Sequence, residues 1–337
     1  MSPLFVANIF LQCYNFLINV KFLSVRIMEE IYYPSSDGSH TVHAVIWRPQ
    51  GDVCAILQII HGMEEYCMRY APFAEEAAKR GILVCAEDHL GHGGTACGDW
   101  GHFPENGQEY VLKDIAELTS HAKAIAPGVP YFVMGHSMGS FFCREYIARH
   151  SGFSGAIIMG TGFKDPVTLF FARLITAITG GTRGWEHKSR FISKLAFGSY
   201  NKKFRPVRTG YEWLSKNAEN VDAYVADEKC GFGFTCGGFM GLFNIIKMAC
   251  SKSAFARVDK SLPLFIVAGE DDPVGDYGRG VKKTYEKYVK AGVKDVRLKL
   301  YSGARHEILN DDCREAAVRD ALSFVCEKAG ISFKEQF

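Results

Sequence analysis

Three side chains far apart along this 337-residue chain, Ser137, Asp272 and His306, have the types and the chain order needed for acyl transfer by a serine nucleophile. A serine hydroxyl is a weak nucleophile at neutral pH and needs a base beside it. Histidine titrates near neutrality, so His306 can take the Ser137 proton and return it to a leaving alcohol. A carboxylate on the far ring nitrogen fixes the tautomer and stabilises the imidazolium, the role expected of Asp272. Glu270 and Asp271 adjoin it, and either could orient the histidine instead. Ser137 lies in Gly135-His136-Ser137-Met138-Gly139, between the apolar run Tyr131–Met134 and a helix-like segment, 140–150. A strand, a serine flanked by glycines and a helix describe a sharp turn that exposes the nucleophile. Acyl transfer also needs donors for a developing oxyanion, and backbone amides suit that task. The expected pair is Met138, which follows the serine, and Met63, in the loop His61-Gly62-Met63 after an earlier strand. His61, Gly62 and His136 are expected beside the pocket.

Bringing these residues together requires strands whose carboxyl ends meet. Apolar runs at 54–60, 82–86, 131–134, 155–159, 264–268 and 297–301 read as strands, and polar, glycine-rich loops follow several of them. Segments 67–80 and 111–126 read as helices; in the second, Leu112, Ile115, Leu118, Ala122 and Ile125 share one face. Such alternation predicts an α/β fold, a mostly parallel sheet with helices on both faces. From about Tyr32 the pattern reads strand, turn, strand: the turn 35–38 precedes 41–47, whose period of two suggests an edge hairpin strand. The rhythm lapses between 161 and 258, which holds an apolar helix around 167–178, a basic aromatic stretch at 185–208 and a further helix near 239–246. An insertion this long predicts a helical cap over the site. The expected division is therefore a core of 28–160 and 259–337 with a cap of 161–258.

Hydrophobic residues at 47% and charged residues at 23% are ordinary for a globular chain, and a net charge of +2 argues against a nucleic-acid binder. The 11 cysteines are scattered without metal-ligand spacing, which predicts free thiols and a cytoplasmic setting. His89, His92, His102 and His136 likewise show no ligand spacing, so no metal is expected. Residues 1–27 are apolar but carry Asn8, Gln12, Asn15 and Asn19, with the first basic residue at Lys21. They read as a start-site extension or leader, with an amphipathic membrane anchor and a cleaved signal as alternatives.

The series HGMEEYCMRY, EDHLGHGGT, GHSMG, GEDDPVG and GARHE resembles the monoacylglycerol lipase and lysophospholipase branch of the α/β-hydrolases, a branch related to serine aminopeptidases. The resemblance runs from about Glu29 to the C-terminus. It implies an α/β-hydrolase fold with a cap over an acyl pocket, and a Ser137–Asp272–His306 triad with Met63 and Met138 as the oxyanion donors. It also implies that 88–93 form a structural turn. Many members have histidine where this chain has Tyr66. The reaction expected is ester hydrolysis through an acyl-enzyme, without metal or cofactor, on a monoacylglycerol, a lysophospholipid or a small acyl ester. Transient contact with a membrane surface fits such substrates. Peptide hydrolysis is the alternative within enzymes and needs an acidic subsite for the substrate amine, for which Glu64 and Glu65 are candidates. A non-catalytic binding protein on the same fold is the alternative outside them.

Overall fold

Among the described residues eight strands form one sheet, and the central ones are runs of apolar residues too short for helices and bounded by turn residues. The computed structural model describes residues 28–332, so the expectation for residues 1–27 falls outside the described residues. In chain order the core begins with β1 (Met28–Pro34), β2 (Thr41–Trp47), β3 (Ala55–Ile60), α1 (Ala71–Ala78), β4 (Ile82–Glu87), α2 (Gly107–Ile125), β5 (Tyr131–His136), α3 (Met138–Arg149) and β6 (Gly155–Met159). There follow α4 (Pro166–Arg183), α5 (Arg190–Phe197), α6 (Ala218–Ala226), α7 (Cys236–Ala249) and α8 (Lys252–Arg257). The core resumes with β7 (Leu264–Gly269), α9 (Arg279–Lys290), β8 (Val296–Tyr301) and α10 (Arg314–Ala329). The strand order is β1-β2-β4-β3-β5-β6-β7-β8. β2 is antiparallel to both neighbours, and every pairing from β4 to β8 is parallel.

The central strands are buried along their whole length, as a parallel sheet covered on both faces requires. Alternate residues feed two cores. Ile56, Ile60, Val133, Ile158 and Ile266 join one, while Leu57, Ile59, Phe132, Met134, Ile157 and Val267 join the other. Each such side chain contributes about 1.5–3 kcal/mol on burial. A one-residue slip in any of these strands exchanges the two faces, so the register that aligns the strand ends is strongly specified.

Some expectations give way to packing. β2 is not an edge: β1 pairs along it and takes the edge, leaving 42–47 buried on both faces. The helix expected over 67–80 divides into a 3-10 turn, Cys67–Tyr70, and α1. Pro72 sits in the first turn of α1, where its missing amide is tolerated, as it would not be inside a longer helix. α4 runs through Gly180-Gly181 rather than ending there. Its start is fixed by Asp165, whose carboxylate accepts the Val167 and Thr168 amides, and by Pro166 in the first turn.

α7 packs against α3 and α4 and so joins the insertion to the core. The fully buried Arg144 of α3 reinforces that junction. Its guanidinium donates to Gly162 O at 2.9 Å, to Thr161 Oγ1 at 3.2 Å and to Ala249 O, at the end of α7, at 2.8 Å. A cation at a helix C-terminus is stabilised by the helix dipole as well as by the bond.

Candidate active site

Ser137 stands at the β5–α3 turn with φ 53° and ψ −119°, a left-handed conformation that costs a side-chain-bearing residue free energy. The flanking glycines explain how the turn closes. A Cβ at Gly135 would lie 2.2 Å from Gly139 O, and one at Gly139 would lie 2.0 Å from Ile60 O. The strained backbone is held by the Ser137 amide donating to Met159 O on β6 at 3.0 Å and by Ser140 Oγ donating to Ser137 O at 2.6 Å. Ser137 is half-buried and faces a cavity.

His306 and Asp272 follow β8 and β7, and both are buried. His306 Nδ1 lies 2.9 Å from Asp272 Oδ2, so Asp272, rather than Glu270 or Asp271, is the carboxylate bonded to the ring. The other Asp272 oxygen accepts the Val274 amide at 2.8 Å, which fixes the carboxylate. The His306 ring lies 4.8 Å from that of His136 and 5.1 Å from that of Trp213. Ser137 and His306 line the same cavity, and no hydrogen bond joins their side chains.

The loop after β3 is organised by Glu65. Its Oε1 accepts the Gly62 amide at 2.7 Å, Tyr70 OH at 2.8 Å and His136 Nδ1 at 3.1 Å. Its Oε2 pairs with Arg69 at 3.3 Å, and Arg69 also reaches the Glu307 carboxylate, at 2.5 and 2.8 Å. Burial opposes the ionised form of Glu65, but His136 and Arg69 outweigh it and hold the carboxyl below its usual range. Burial likewise lowers His136, while its bond to Glu65 and the Glu65 charge more than restore it, so its pKa is raised. The sequence gives little sign of this network, because Arg69 and Glu307 are 238 positions apart. The one available signal is the density of charged residues in HGMEEYCMRY and beside His306.

Beneath that loop lie three histidines kept neutral. His61 and His89 stack at 3.9 Å. Burial, and then the neighbouring His89, push His61 down to about 3, and burial pushes His89 down to about 4. His61 Nε2 accepts the His89 amide at 3.0 Å while its Nδ1 donates to Gly62 O at 2.7 Å. His92 Nε2 accepts the Glu64 amide at 3.2 Å. These rings are spacers that fix the loop, and His61 is not in the cavity wall. His43, Cys67 and Asp88 bring three metal-capable atoms within 4.8 Å of one another. Asp88 is already engaged by the Cys67 and Gly94 amides, at 2.8 and 2.7 Å, and by His43 Nδ1 at 2.7 Å. A Cβ at Gly93 would lie 2.1 Å from Asp88 Oδ2, so this cluster is packed solid and anchors the turn at 88–93.

The cavity measures about 890 Å³. Met63, Met138, Ser137, His136 and His306 line it together with Phe141, Leu242, Ile246 and residues of the insertion. Its volume suits a ligand with a long apolar portion and a few polar contacts.

The strand order, the elbow serine and the histidine–aspartate pair at the carboxyl ends of the sheet define an α/β-hydrolase. The chain matches the family model described as Serine aminopeptidase, S33, over residues 51–313 and belongs to that family, in its monoacylglycerol-lipase-like branch. It is 25% identical to a monoacylglycerol lipase of Mycolicibacterium smegmatis, across 83% of this chain and 91% of that protein. It is 33% identical to a monoglyceride lipase homolog of Monkeypox virus, across 84% and 94%. A carboxyl esterase of Bacillus coagulans, solved in complex with glycerol, superposes with a TM-score of 0.85 at 29% identity, covering 90% of this chain and all of that one. The protein is a carboxylic ester hydrolase.

Proposed function

We propose that the chain hydrolyses acyl esters of glycerol, with Ser137 as nucleophile, His306 as general base and acid, and Asp272 as the group that orients His306. His306 accepts the Ser137 proton as Oγ attacks the ester carbonyl. The oxyanion gathers at the Met63 and Met138 amides; the Gly62 amide is committed to Glu65 and is not a candidate. His306 then gives its proton to the leaving alcohol, and water repeats the sequence on the acyl-enzyme. The observation that carries this reading is the single cavity shared by Ser137, His306, both methionines and an apolar wall of Phe141, Phe197, Leu242, Ile246 and Val274. The relatives named as monoglyceride lipases, and the glycerol bound to the Bacillus coagulans esterase, support glycerol as the alcohol. The insertion 161–258 serves as the cap, since α5 and the segment after it complete the cavity wall.

The same insertion suits a lipid surface. Phe170, Phe171, Ile178 and Phe191 are all more than half exposed, and Lys164, Arg190 and Lys194 border the cavity beside them. Apolar side chains flanked by cations favour an anionic bilayer interface. Among the described residues no helix is long and apolar enough to cross a membrane. Aminopeptidase activity would need a carboxylate free to hold the substrate ammonium. Glu65 is engaged by Gly62, Tyr70, His136 and Arg69, and the charge of Lys188 acts on Glu64, which makes both poor anchors for a cation.

Ser137→Ala is expected to abolish hydrolysis of a long-chain monoacylglycerol without loss of fold, and a fluorophosphonate is expected to label Ser137. Undiminished turnover by the variant, or an adduct mapped by mass spectrometry to another residue, sinks the assignment.

A further inference from the structure

We propose that Glu64 reads the alcohol side of the ester, its carboxyl bonding to a free hydroxyl of a neutral polyol head group; the proposal rests on Ser137 being the nucleophile. Glu64 follows Gly62 by two residues, and Gly62 abuts the nucleophile so closely that a Cβ there would lie 3.1 Å from Ser137 Cβ. Its φ is 56°, in the left-handed region that favours glycine, yet a long acidic side chain occupies the position. The main chain accounts for the fixed conformation. The Glu64 amide donates to His92 Nε2 at 3.2 Å, and its carbonyl accepts the Gly231 amide at 3.1 Å and Tyr224 OH at 3.0 Å. The main chain alone thus makes three bonds that pin the loop, two of them to the insertion, and the carboxyl adds to them where it faces the Gly233 and Phe234 amides. Glu65, by contrast, spends both oxygens on the fold.

Glu64 lines the cavity and forms no ion pair among the described residues; its carboxyl faces the Gly233 and Phe234 amides. Burial pushes it up to about 7, against the pull of the Gly233 amide, Lys188 and the Phe234 amide. Near neutral pH it is therefore present both as a carboxylate and as an acid, and it can accept or donate a hydrogen bond. Tyr224, whose hydroxyl bonds to the Glu64 carbonyl, and Tyr211, on which the Glu64 charge acts, line the same cavity.

Charge selects the ligand. A phosphate would meet the Glu64 carboxylate as a like charge. An ammonium would meet Lys188, whose charge already acts on Glu64, with Arg190 and Lys194 further along the cavity lining. A neutral hydroxyl meets neither obstacle. A group that hydrogen-bonds a substrate hydroxyl also disfavours the analogue that lacks it.

The test compares kcat/KM of the full chain on the 1-glyceryl and ethyl esters of one fatty acid. Glu64→Gly suits the left-handed backbone and removes the carboxyl, and the ratio of two esters on the same variant cancels any general loss of folded enzyme. We expect it to lower the glyceryl-to-ethyl ratio by about tenfold to a hundredfold, the worth of one hydrogen bond to a charged group. Glu64→Gln, which keeps an acceptor and a donor, should lower it less. An unchanged ratio in Glu64→Gly, or a wild-type chain indifferent to the glyceryl hydroxyls, overturns the proposal and leaves the Ser137 reading standing. A larger loss on a choline-bearing lysophospholipid than on the glyceryl ester overturns it in favour of cation recognition. Failure of the wild-type chain to hydrolyse any of the three esters removes the Ser137 reading, and this inference with it.

Discussion

Gly139 is the position at which one added methyl group should do the most damage. It lies in the first turn of α3, two residues after Ser137, and an alanine Cβ there would sit 2.0 Å from Ile60 O and 2.4 Å from His61 O. Both obstacles are main-chain atoms of β3 and its loop, so neither can rotate aside. Opening the contact even to 3.0 Å, a distance that real Cβ atoms essentially never undercut, moves α3 and the loop apart by about an ångström. Overpacking typically costs about 1–3 kcal/mol, and a backbone-on-backbone clash belongs at the top of that range. The same displacement separates the Met138 amide from that of Met63, and an error of about 1 Å at a reacting centre can cost about a hundredfold in rate. Gly139→Ala should therefore lose about 3 kcal/mol in urea unfolding and about a hundredfold in kcat/KM on a soluble ester. Gly181→Ala is the internal control. It adds the same methyl group to an exposed helical position with nothing within 4 Å, and should gain about 0.5–1 kcal/mol with kcat/KM unchanged. A Gly139→Ala chain as stable and as active as the parent refutes the steric account of the elbow.

Asp272→Asn should reduce kcat by about 10⁴ while the chain remains folded, since the imidazole then loses the partner that sets its tautomer; steady-state kinetics on a monoacylglycerol checks this. His61 and His89 should stay neutral down to pH 5, as read from ring ¹⁵N shifts, and a titration midpoint at or above 6 in either would contradict their burial. Their folded pKa values lie below the ordinary 6.5, so the unfolded chain binds protons first. This pair alone lowers stability as pH falls through 6.5 toward 4, by about 2 kcal/mol per ring at pH 5. Glu64 works in the opposite sense. Its raised pKa makes the fold bind a proton first, a contribution that fades as pH rises from 4.5 through 7. Replacing Phe170, Phe171 and Phe191 by serine should weaken co-sedimentation with anionic vesicles several-fold while a water-soluble ester is still hydrolysed; unchanged binding argues against the α4–α5 face as the contact.

The site was legible where chemistry sits at the ends of short apolar strands. Ser137, Asp272 and His306 each follow such a strand, and the loop containing Met63 follows another, so local pattern was enough to place them at the carboxyl ends of the sheet. Asp272 was the expected carboxylate, but local pattern left Glu270 and Asp271 open beside it, because the choice depends on the direction each side chain takes from one turn. α9 was missed although Val281, Thr284 and Tyr288 bury one face of it, since lysines at 282, 283, 287 and 290 mask that stripe. The hairpin of β1 and β2 at the sheet edge was legible, but alternation could not tell that β1 takes the outer place and leaves β2 buried. Glu65 and Arg69 were out of reach for a different reason: their partners come from Gly62, Tyr70, His136, Asn220 and Glu307, and only the folded chain brings those together.

The guanidinium of Arg144 binds the ancestry of the insertion to that of the helix carrying the elbow. A segment borrowed from another family member must bring carbonyl groups to the places held by Gly162 and Ala249, or it strands a positive charge in a dry interior. Such an orphan costs about 3–5 kcal/mol, a large part of what holds a typical domain together. A chimera exchanged at these borders therefore meets the demand of this cation before any demand of its substrate, whereas a point change along the cavity wall leaves the charge satisfied.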